Sequence, residues 1–318
     1  MAICMASDAG YAFPTAVVAK SIAQRQYPHI GPIYFVWVDA EEPPHELVTY
    51  LEKNSITFVT ARNSMLPKMA SGYAGHLTPA ASARLFLAEI LEKFPVDRFL
   101  YLDGDVEIVH SLSSLAKINL PQDYIAAAEE YGPLLKMNDS RSVTKWQKRL
   151  QGLGMPEGAS YFNSGVILAH MQSWAKISND AQAFLVENTP ACIYFDQCAL
   201  NAVCYNRRLI LSPKWNFQAP LFRLNVETDI KPNIVHFTGA HKPWASVQLA
   251  RPWQARGPFL AARTELPQLW KRTALRSSLQ TSLKHQRNVL KQYIEKPNDK
   301  RRRSFLEYMA STNFIDKM

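Results

Sequence analysis

What most restricts the fold of this chain is a rhythm in its first 262 residues, where short apolar, β-rich runs alternate with stretches of helical pattern. "AICMA" (2–6) reads as a strand, and "PTAVVAKSIAQ" (14–24) as a helix with Pro14 in its first turn. "PIYFVWV", "SITFVT" and "RFLYLD" repeat the strand pattern. Between them lie the helices "PHELVTYLEK" and "TPAASARLFLAEILEKF", the second with Thr78 as N-cap ahead of Pro79. Later strand candidates are "YIAAAEE", "YFNSGVILAHM", "RLILSP" and "NIVHFTG", joined by longer connections richer in Gly, Pro and Asn. Buried strands alternating with helices predict a parallel sheet in an α/β fold. Ligands of such sheets bind beyond the carboxyl ends of the strands. Asp8 follows the first strand and Asp103 ends the fourth, so both belong to that edge. No G-x-G-x-x-G follows the first strand, which argues against a dinucleotide site.

The fourth strand ends in "FLYLDGDVEIV", with Asp103 and Asp105 on either side of Gly104. Two carboxylates this close repel unless a cation lies beside them, and the glycine lets a ligand approach the backbone. The plain alternative is a turn, for which Asp and Gly are common residues. An apolar strand followed by D-G-D-V is also similar to the nucleophile motif of haloacid-dehalogenase phosphatases. That family carries it on the first strand and needs a later Lys and an acidic pair, and no "GDxxxD" follows here.

Four further segments follow in order: "YFNSGVILAHMQSW" (161–174), "FDQCALNAV" (195–203), "LSPKWNFQ" (211–218) and "IVHFTGAHKPW" (234–244). Together with the D-G-D they resemble the family-eight retaining glycosyltransferases, the group of glycogenin and the bacterial lipopolysaccharide galactosyl- and glucosyltransferases. The resemblance spans Ala2 to Trp244 and implies a GT-A fold, a Rossmann-like α/β domain with a mixed, mostly parallel sheet that binds a nucleotide sugar.

By that resemblance, Asp103, Asp105 and His236 hold a divalent metal; the plain alternative for His236 is a satisfied strand-end histidine. A mixed carboxylate and imidazole set suits Mn²⁺ better than Mg²⁺. The co-substrate is a UDP-sugar, UDP-glucose or UDP-galactose, bound through Ala6, Asp8, Tyr11 and Arg84, with Gly104 and Gly239 admitting its phosphates and Lys242 reaching them as a point charge. Arg84 read without the family is an exposed helix charge. Pro243 and Trp244 are expected to brace their loop. Asn163 and Ser164 meet the sugar, as do the catalytic pair Asp196 and Gln197. An amide is a poor nucleophile, so Gln197 under the anomeric carbon favours front-face attack over a covalent intermediate. The sequence offers no obvious base for the acceptor hydroxyl. Asp196 also reads as a helix N-cap. Two departures stand out: Gly10 where some relatives carry Asn, and Cys198 where many carry a polar residue.

The net charge of +9 is unevenly spread. Arg263–Met318 holds 13 Lys+Arg against 5 Asp+Glu, a net of +8, which leaves +1 for the residues before it. The chain therefore divides into a catalytic domain, 1–262, and a basic helical extension, 263–318. Trp270, Leu275, Leu279, Leu283 and Leu290 recur at near-helical spacing and predict an apolar face beside the basic one. The extension reads either as a solvated amphipathic helix or as a docking surface for an anionic membrane or a phosphorylated lipopolysaccharide core. Membrane docking, at about 1 kcal/mol per clustered cation near the surface, is the expected role. No nucleic-acid recognition module is present. Cys4, Cys192, Cys198 and Cys204 fit no zinc spacing and read as reduced structural thiols. The N-terminus lacks signal-peptide character, and no apolar run reaches the ~18 residues of a membrane span. The expected location is cytoplasmic, peripheral on the inner face of the membrane, with a glycan or glycolipid as acceptor. Besides the transferase, two other readings remain: a non-catalytic nucleotide-sugar or glycan binder, and a phosphohydrolase built on Asp103.

Overall fold

Ala2–Ser7 is buried at all six positions and forms strand β1 at the centre of a sheet. The structure, a computed structural model, describes residues 1–61, 79–135, 140–239, 242–244, 257–280 and 299–316. β1 pairs in parallel with β2 (Ile33–Trp37), and β2 with β3 (Thr57–Thr60). The chain then crosses to the other side of β1 and adds β4 (Arg98–Leu102), also parallel. This reversal makes the gap between the carboxyl ends of β1 and β4 the switch point where open α/β sheets bind ligands. β5 (Val106–Ile108) leaves the sheet after the D-G-D turn, while β6 (Ile125–Glu129), β7 (Phe162–His170) and β8 (Arg208–Leu211) return to it. The sheet order is β3-β2-β1-β4-β7-β6-β8, with β7 antiparallel to both β4 and β6.

Alternate residues of β1 feed two cores. Ile3 and Met5 face α1 (Ala12–Arg25) and α2 (His45–Lys53) through Phe13, Val17, Leu47 and Leu51. Ala2, Cys4 and Ala6 belong to the opposite core. That core is covered by α3 (Ser140–Gly152), α4 (Met171–Glu187) and α5 (Asp196–Cys204) through Leu150, Trp174, Ile177 and Leu200. All four cysteines are buried and free, and burial pushes the thiols of Cys192 and Cys204 up to about 12.

The helix predicted over 78–94 is broken. Thr78 lies outside the described residues, and from Pro79 the chain makes a helical turn, a 3₁₀ turn over Ala83–Phe86 and a second helical turn over Leu87–Ile90. The cause is competition for carbonyls. Trp174 Nε1 donates to Arg84 O at 2.8 Å, and Gln182 Nε2 to Leu85 O at 2.8 Å. The tightened turn is where Arg84 enters the site.

A second, three-stranded sheet, β5-β10-β9, brings together distant parts of the chain. β9 is Phe217–Gln218 and β10 is Ile234–His236. β10 runs antiparallel to β5 with His236 opposite Val106, and Phe237 N donates to Asp105 O at 2.9 Å. This register places His236 beside the D-G-D turn.

The C-terminal helices α6 (Pro267–Gln280) and α7 (Asp299–Ser311) lie on the α1 side. Leu266, Leu269 and Phe305 are buried in the same core as Phe13. Trp270, expected on an apolar face of the extension, packs on Phe13 with ring centroids 5.2 Å apart; it is taken up by the protein itself. The side chains of Leu275 and Leu279, and all of Leu283 and Leu290, lie outside the described residues. Beyond α7, the buried Asp316 carboxylate accepts from Ser212 N at 2.8 Å, Ser212 Oγ at 2.7 Å and Trp215 Nε1 at 2.9 Å, and pairs with Lys214 at 2.9 Å. Among the described residues, no helix is long and apolar enough to cross a membrane.

Candidate active site

The end of β4 continues its pairing into the D-G-D turn, where Asp103 N donates to Gly165 O at 2.9 Å. Gly104 packs on α1: a Cβ there would lie 2.0 Å from Thr15 Oγ1. The structure thus gives this glycine a packing reason in addition to any approach by a ligand. Asp105 turns inward, and His236 Nε2 lies 3.2 Å from Asp105 Oδ1 and 3.8 Å from Asp103 Oδ2. One ligand atom from each of Asp103, Asp105 and His236 lies within 4.8 Å of the others.

The histidine is oriented from behind. His236 Nδ1 and Asn216 Oδ1 are 2.9 Å apart, Asn216 Nδ2 donates to Asn163 Oδ1 at 2.9 Å, and Asn163 Nδ2 donates to Glu130 Oε2 at 2.9 Å. With the amides in this direction, Nδ1–H of His236 donates to Asn216 Oδ1, and Nε2 is the nitrogen turned to the carboxylates. Ligating histidines are commonly fixed in this way. Gly165 makes room for the group, since a Cβ there would stand 2.3 Å from His236 Cε1 and 2.6 Å from Asp103 Oδ2.

Two cations balance the carboxylates. Lys242 Nζ lies 2.5 Å from Asp105 Oδ2 and donates to Phe237 O at 2.7 Å. Burial alone would raise the Asp105 pKa, but the Lys242 ammonium, and then His236, hold it well below the usual carboxylate range. Arg84 is buried, not the exposed helix charge of the plain reading. Its guanidinium pairs with Asp103 at 3.0 Å and Asp196 at 2.9 Å, donates to Ser164 O, and lies 4.7 Å from the centroid of Tyr101. One arginine therefore joins the D-G-D turn to the start of α5.

Asp196 is not the N-cap of that helix. The N-cap is Phe195, with φ of 45°, and Asp196 is the first helical residue with its carboxylate on Arg84. A phenylalanine in the left-handed region is strained, and such strain commonly accompanies functional turns. Gln197 Oε1 accepts from Ser164 N at 3.0 Å and Ser164 Oγ at 3.3 Å, while its Nε2 lies 3.5 Å from Glu130 Oε2. The structure thus brings Asn163, Ser164, Asp196 and Gln197 together, Asn163 and Gln197 on a carboxylate, Glu130, that the sequence reading did not single out, and Asp196 joined to Ser164 through Arg84.

At the end of β1, Ala6 is buried and Asp8 Oδ1 accepts from Gly10 N at 2.8 Å and Tyr11 N at 3.0 Å. The Asp8 carboxylate thereby shapes the loop into α1. Asp39 at the end of β2 accepts from Ala9 N at 3.1 Å. Tyr11 is 37% exposed, with Trp244 edge-on at 6.0 Å and Lys242 Nζ 5.9 Å from its ring centroid. Trp244 is buried against Phe259 and braces the loop, with Pro243 buried beside it. Gly239 has φ of 86°, a backbone state suited to glycine.

Glu130, Asn216 and Gly165 are the residues that sequence reasoning missed. Gly165 had a signal, a glycine inside an otherwise apolar strand, which marks close approach of another group. Asn216 had none beyond its place in "LSPKWNFQ".

A doubly covered sheet with two carboxylates and a histidine at its switch point is the arrangement of the GT-A fold, and solved structures share that fold. An active-site mutant of LgtC superposes with a TM-score of 0.65 at 22% identity, covering 86% of this chain and 100% of that one. Galactosyltransferase LgtC in complex with donor and acceptor sugar analogs gives a TM-score of 0.61 at 22% identity, over 91% of this chain and 99% of that one. The profile of Glycosyl transferase family 8 matches residues 2–248, and the chain belongs to that family. It is similar to General stress protein A of Bacillus subtilis, 28% identical over 54% of this chain and 62% of that protein. It is also similar to the lipopolysaccharide glucosyltransferase WaaO of Escherichia coli, 29% identical over 62% and 57%. Lipopolysaccharide 1,3-galactosyltransferase of Salmonella typhimurium is 30% identical over 56% and 52%. The matched part spans between half and two thirds of the length of these relatives.

Proposed function

We propose that this protein is a metal-dependent, retaining hexosyltransferase that moves glucose or galactose from a UDP-sugar to a glycan acceptor, a lipopolysaccharide or another surface glycan. The observation that carries the reading is the meeting of Asp103, Asp105 and His236 within 4.8 Å at the switch point, with Asp196 and Gln197 alongside. Two hard carboxylate donors and one oriented imidazole fit a divalent cation, Mn²⁺ better than Mg²⁺, and Gly165 keeps the volume between them open. When bound, such a cation supplies the positive charge that a departing pyrophosphate requires.

The chain's own groups divide the rest. Lys242, close to both Asp105 and Tyr11, would bind the phosphates, and Tyr11 would lie against the base, with Ala6 and Asp8 beside it. Gly104 and Gly239 would admit the phosphates to the backbone. Asn163, Ser164 and Asp196 would hold sugar hydroxyls, with Arg84 fixing Asp196. The Gln197 carboxamide, its oxygen already engaged by Ser164, is a weak nucleophile suited to shielding positive charge at the anomeric carbon. This favours front-face attack, in which the acceptor's proton departs on a phosphate oxygen of the leaving nucleotide. Glu130 serves to orient Asn163 and Gln197. The basic C-terminal segment supports a peripheral position on an anionic membrane surface.

A calorimetric titration with UDP tests the reading. Binding with Mn²⁺ present, abolished by chelator, is expected; chelator-insensitive binding or none contradicts it.

A further inference from the structure

Helix α3, "SRSVTKWQKRLQG", carries Arg141, Lys145, Lys148 and Arg149 and no acidic residue. Spacings of three and four put the four cations on one side, while Leu150 is buried on the other. The first 262 residues net only +1, so this helix is a local concentration of charge. None of the four is ion-paired among the described residues. Arg149 is instead held by aromatic faces: its guanidinium carbon is 5.5 Å from the ring centroid of Trp146 and 5.4 Å from that of Tyr194.

These rings belong to the site's own framework. Tyr194 O accepts from Gln197 N at 3.0 Å, and Tyr194 N donates to Cys198 Sγ at 3.4 Å. Trp146 packs edge-on against Tyr161 at 5.1 Å, and the Tyr161 hydroxyl lies 3.2 Å from Cys198 Sγ. Helix α3 is thereby fastened on two sides to the turn that carries Gln197. Tyr194 is 42% exposed and its neighbour Ile193 44%. The placement follows from topology. α3 links β6 to β7, and β7 and β6 lie beyond β4 from β1, whose end carries Asp8 and Tyr11. The cations therefore flank the Gln197 end of the site, away from the nucleotide end.

We propose that Arg149, aligned by Trp146 and Tyr194 and backed by Lys145 and Lys148, is an acceptor subsite selective for a sugar bearing an oxyanion, a phosphate ester or a uronate. This rests on the transferase reading, in which the acceptor hydroxyl reaches the anomeric carbon on the face the phosphate leaves while the rest of the acceptor extends past the Gln197 end of the site. The exposed face of Tyr194 takes the sugar ring, and the guanidinium takes the oxyanion through two parallel N–H donors. Selectivity comes from the charge-assisted contact, since a neutral sugar leaves the guanidinium without a partner.

The test is a titration of the full chain with glucose 6-phosphate, glucuronate and glucose, with and without saturating Mn²⁺ and UDP, so that the nucleotide pocket is filled in one arm. The anionic sugars are expected to bind at least tenfold more tightly than glucose. Arg149→Gln should weaken them roughly tenfold, with partial recovery in Arg149→Lys. Tyr194→Phe, which keeps the ring, should stay within about twofold of wild type, and Tyr194→Ala should not. Circular dichroism checks that each variant is folded. Equal binding of charged and neutral sugars, or binding indifferent to Arg149, overturns the proposal. A third arm uses phosphatidylglycerol vesicles. Vesicle binding lost in Lys145→Gln/Lys148→Gln/Arg149→Gln while sugar binding is unchanged also overturns it and makes α3 a membrane face. Failure of UDP to bind counts against the transferase reading, whereas the arm without nucleotide still decides the subsite.

Discussion

The Lys242 ammonium lies 2.5 Å from Asp105 Oδ2, on a carboxylate that also faces His236. A lysine thus supplies to Asp105 the positive charge that a metal would bring, and the two cations compete for it. Replacing Lys242 by Met should tighten Mn²⁺ binding to the nucleotide-free protein roughly tenfold, about 1.4 kcal/mol. The same change should weaken UDP binding in the presence of Mn²⁺. Calorimetry reads both, and unchanged Mn²⁺ affinity would show that Lys242 is no competitor.

Asn216 is fully buried and touches His236 from the side away from the carboxylates. Asn216→Leu removes the acceptor for Nδ1–H and lets the imidazole choose its tautomer. Mn²⁺ affinity should fall roughly 10–100-fold, as for other partners of ligating histidines. A variant that is folded yet binds Mn²⁺ like wild type would remove Asn216 from the site.

Gly165 is a tighter test of the same geometry. A methyl group there meets His236 Cε1 at 2.3 Å and Asp103 Oδ2 at 2.6 Å. Gly165→Ala should separate these two groups, destabilise the fold by about 1–3 kcal/mol and abolish measurable Mn²⁺ binding. Wild-type metal affinity in this variant would mean that His236 and Asp103 do not share an ion.

Asp316 supplies a pH dependence of its own, outside the Asp103, Asp105 and His236 cluster. Burial would raise its pKa, but hydrogen bonds from Lys214 and Ser212 lower it below the ordinary value. The folded state therefore favours the ionised carboxylate. This contribution is complete above the unfolded pKa of about 4 and is lost as pH falls through the lower folded value. Asp316→Ala should cost about 2–3 kcal/mol at neutral pH, with a shallower loss of stability on acidification than wild type. Denaturant unfolding across acid pH checks it; parallel acid limbs in the two proteins would contradict it.

Much of the fold was legible because β1, β2, β4, β6 and β7 are buried on both faces and stand out as apolar runs. The reversed direction of β7 was not, since an apolar strand carries no mark of orientation. β5 and β9, of three and two residues, are too short for any periodicity. Asp103, Asp105, His236, Asp196 and Gln197 could be named because the segments that carry them follow one another in the order of the family they resemble, although none is decisive alone. Glu130 and Asn216 could not, since they act through other residues across 33 and 20 positions of sequence. The burial of Arg84 was hidden for the same reason: its two carboxylates come from a different strand and a different helix. The expected N-cap at Asp196 lost to that ion pair.

The most direct measurement is UDP release from a panel of UDP-sugars, with Mn²⁺ and with chelator, for wild type and Asp103→Asn. The account predicts slow release from one sugar, UDP-glucose or UDP-galactose, lost with chelator and lost in Asp103→Asn. Release that survives both treatments, or that ignores the identity of the sugar, would contradict it.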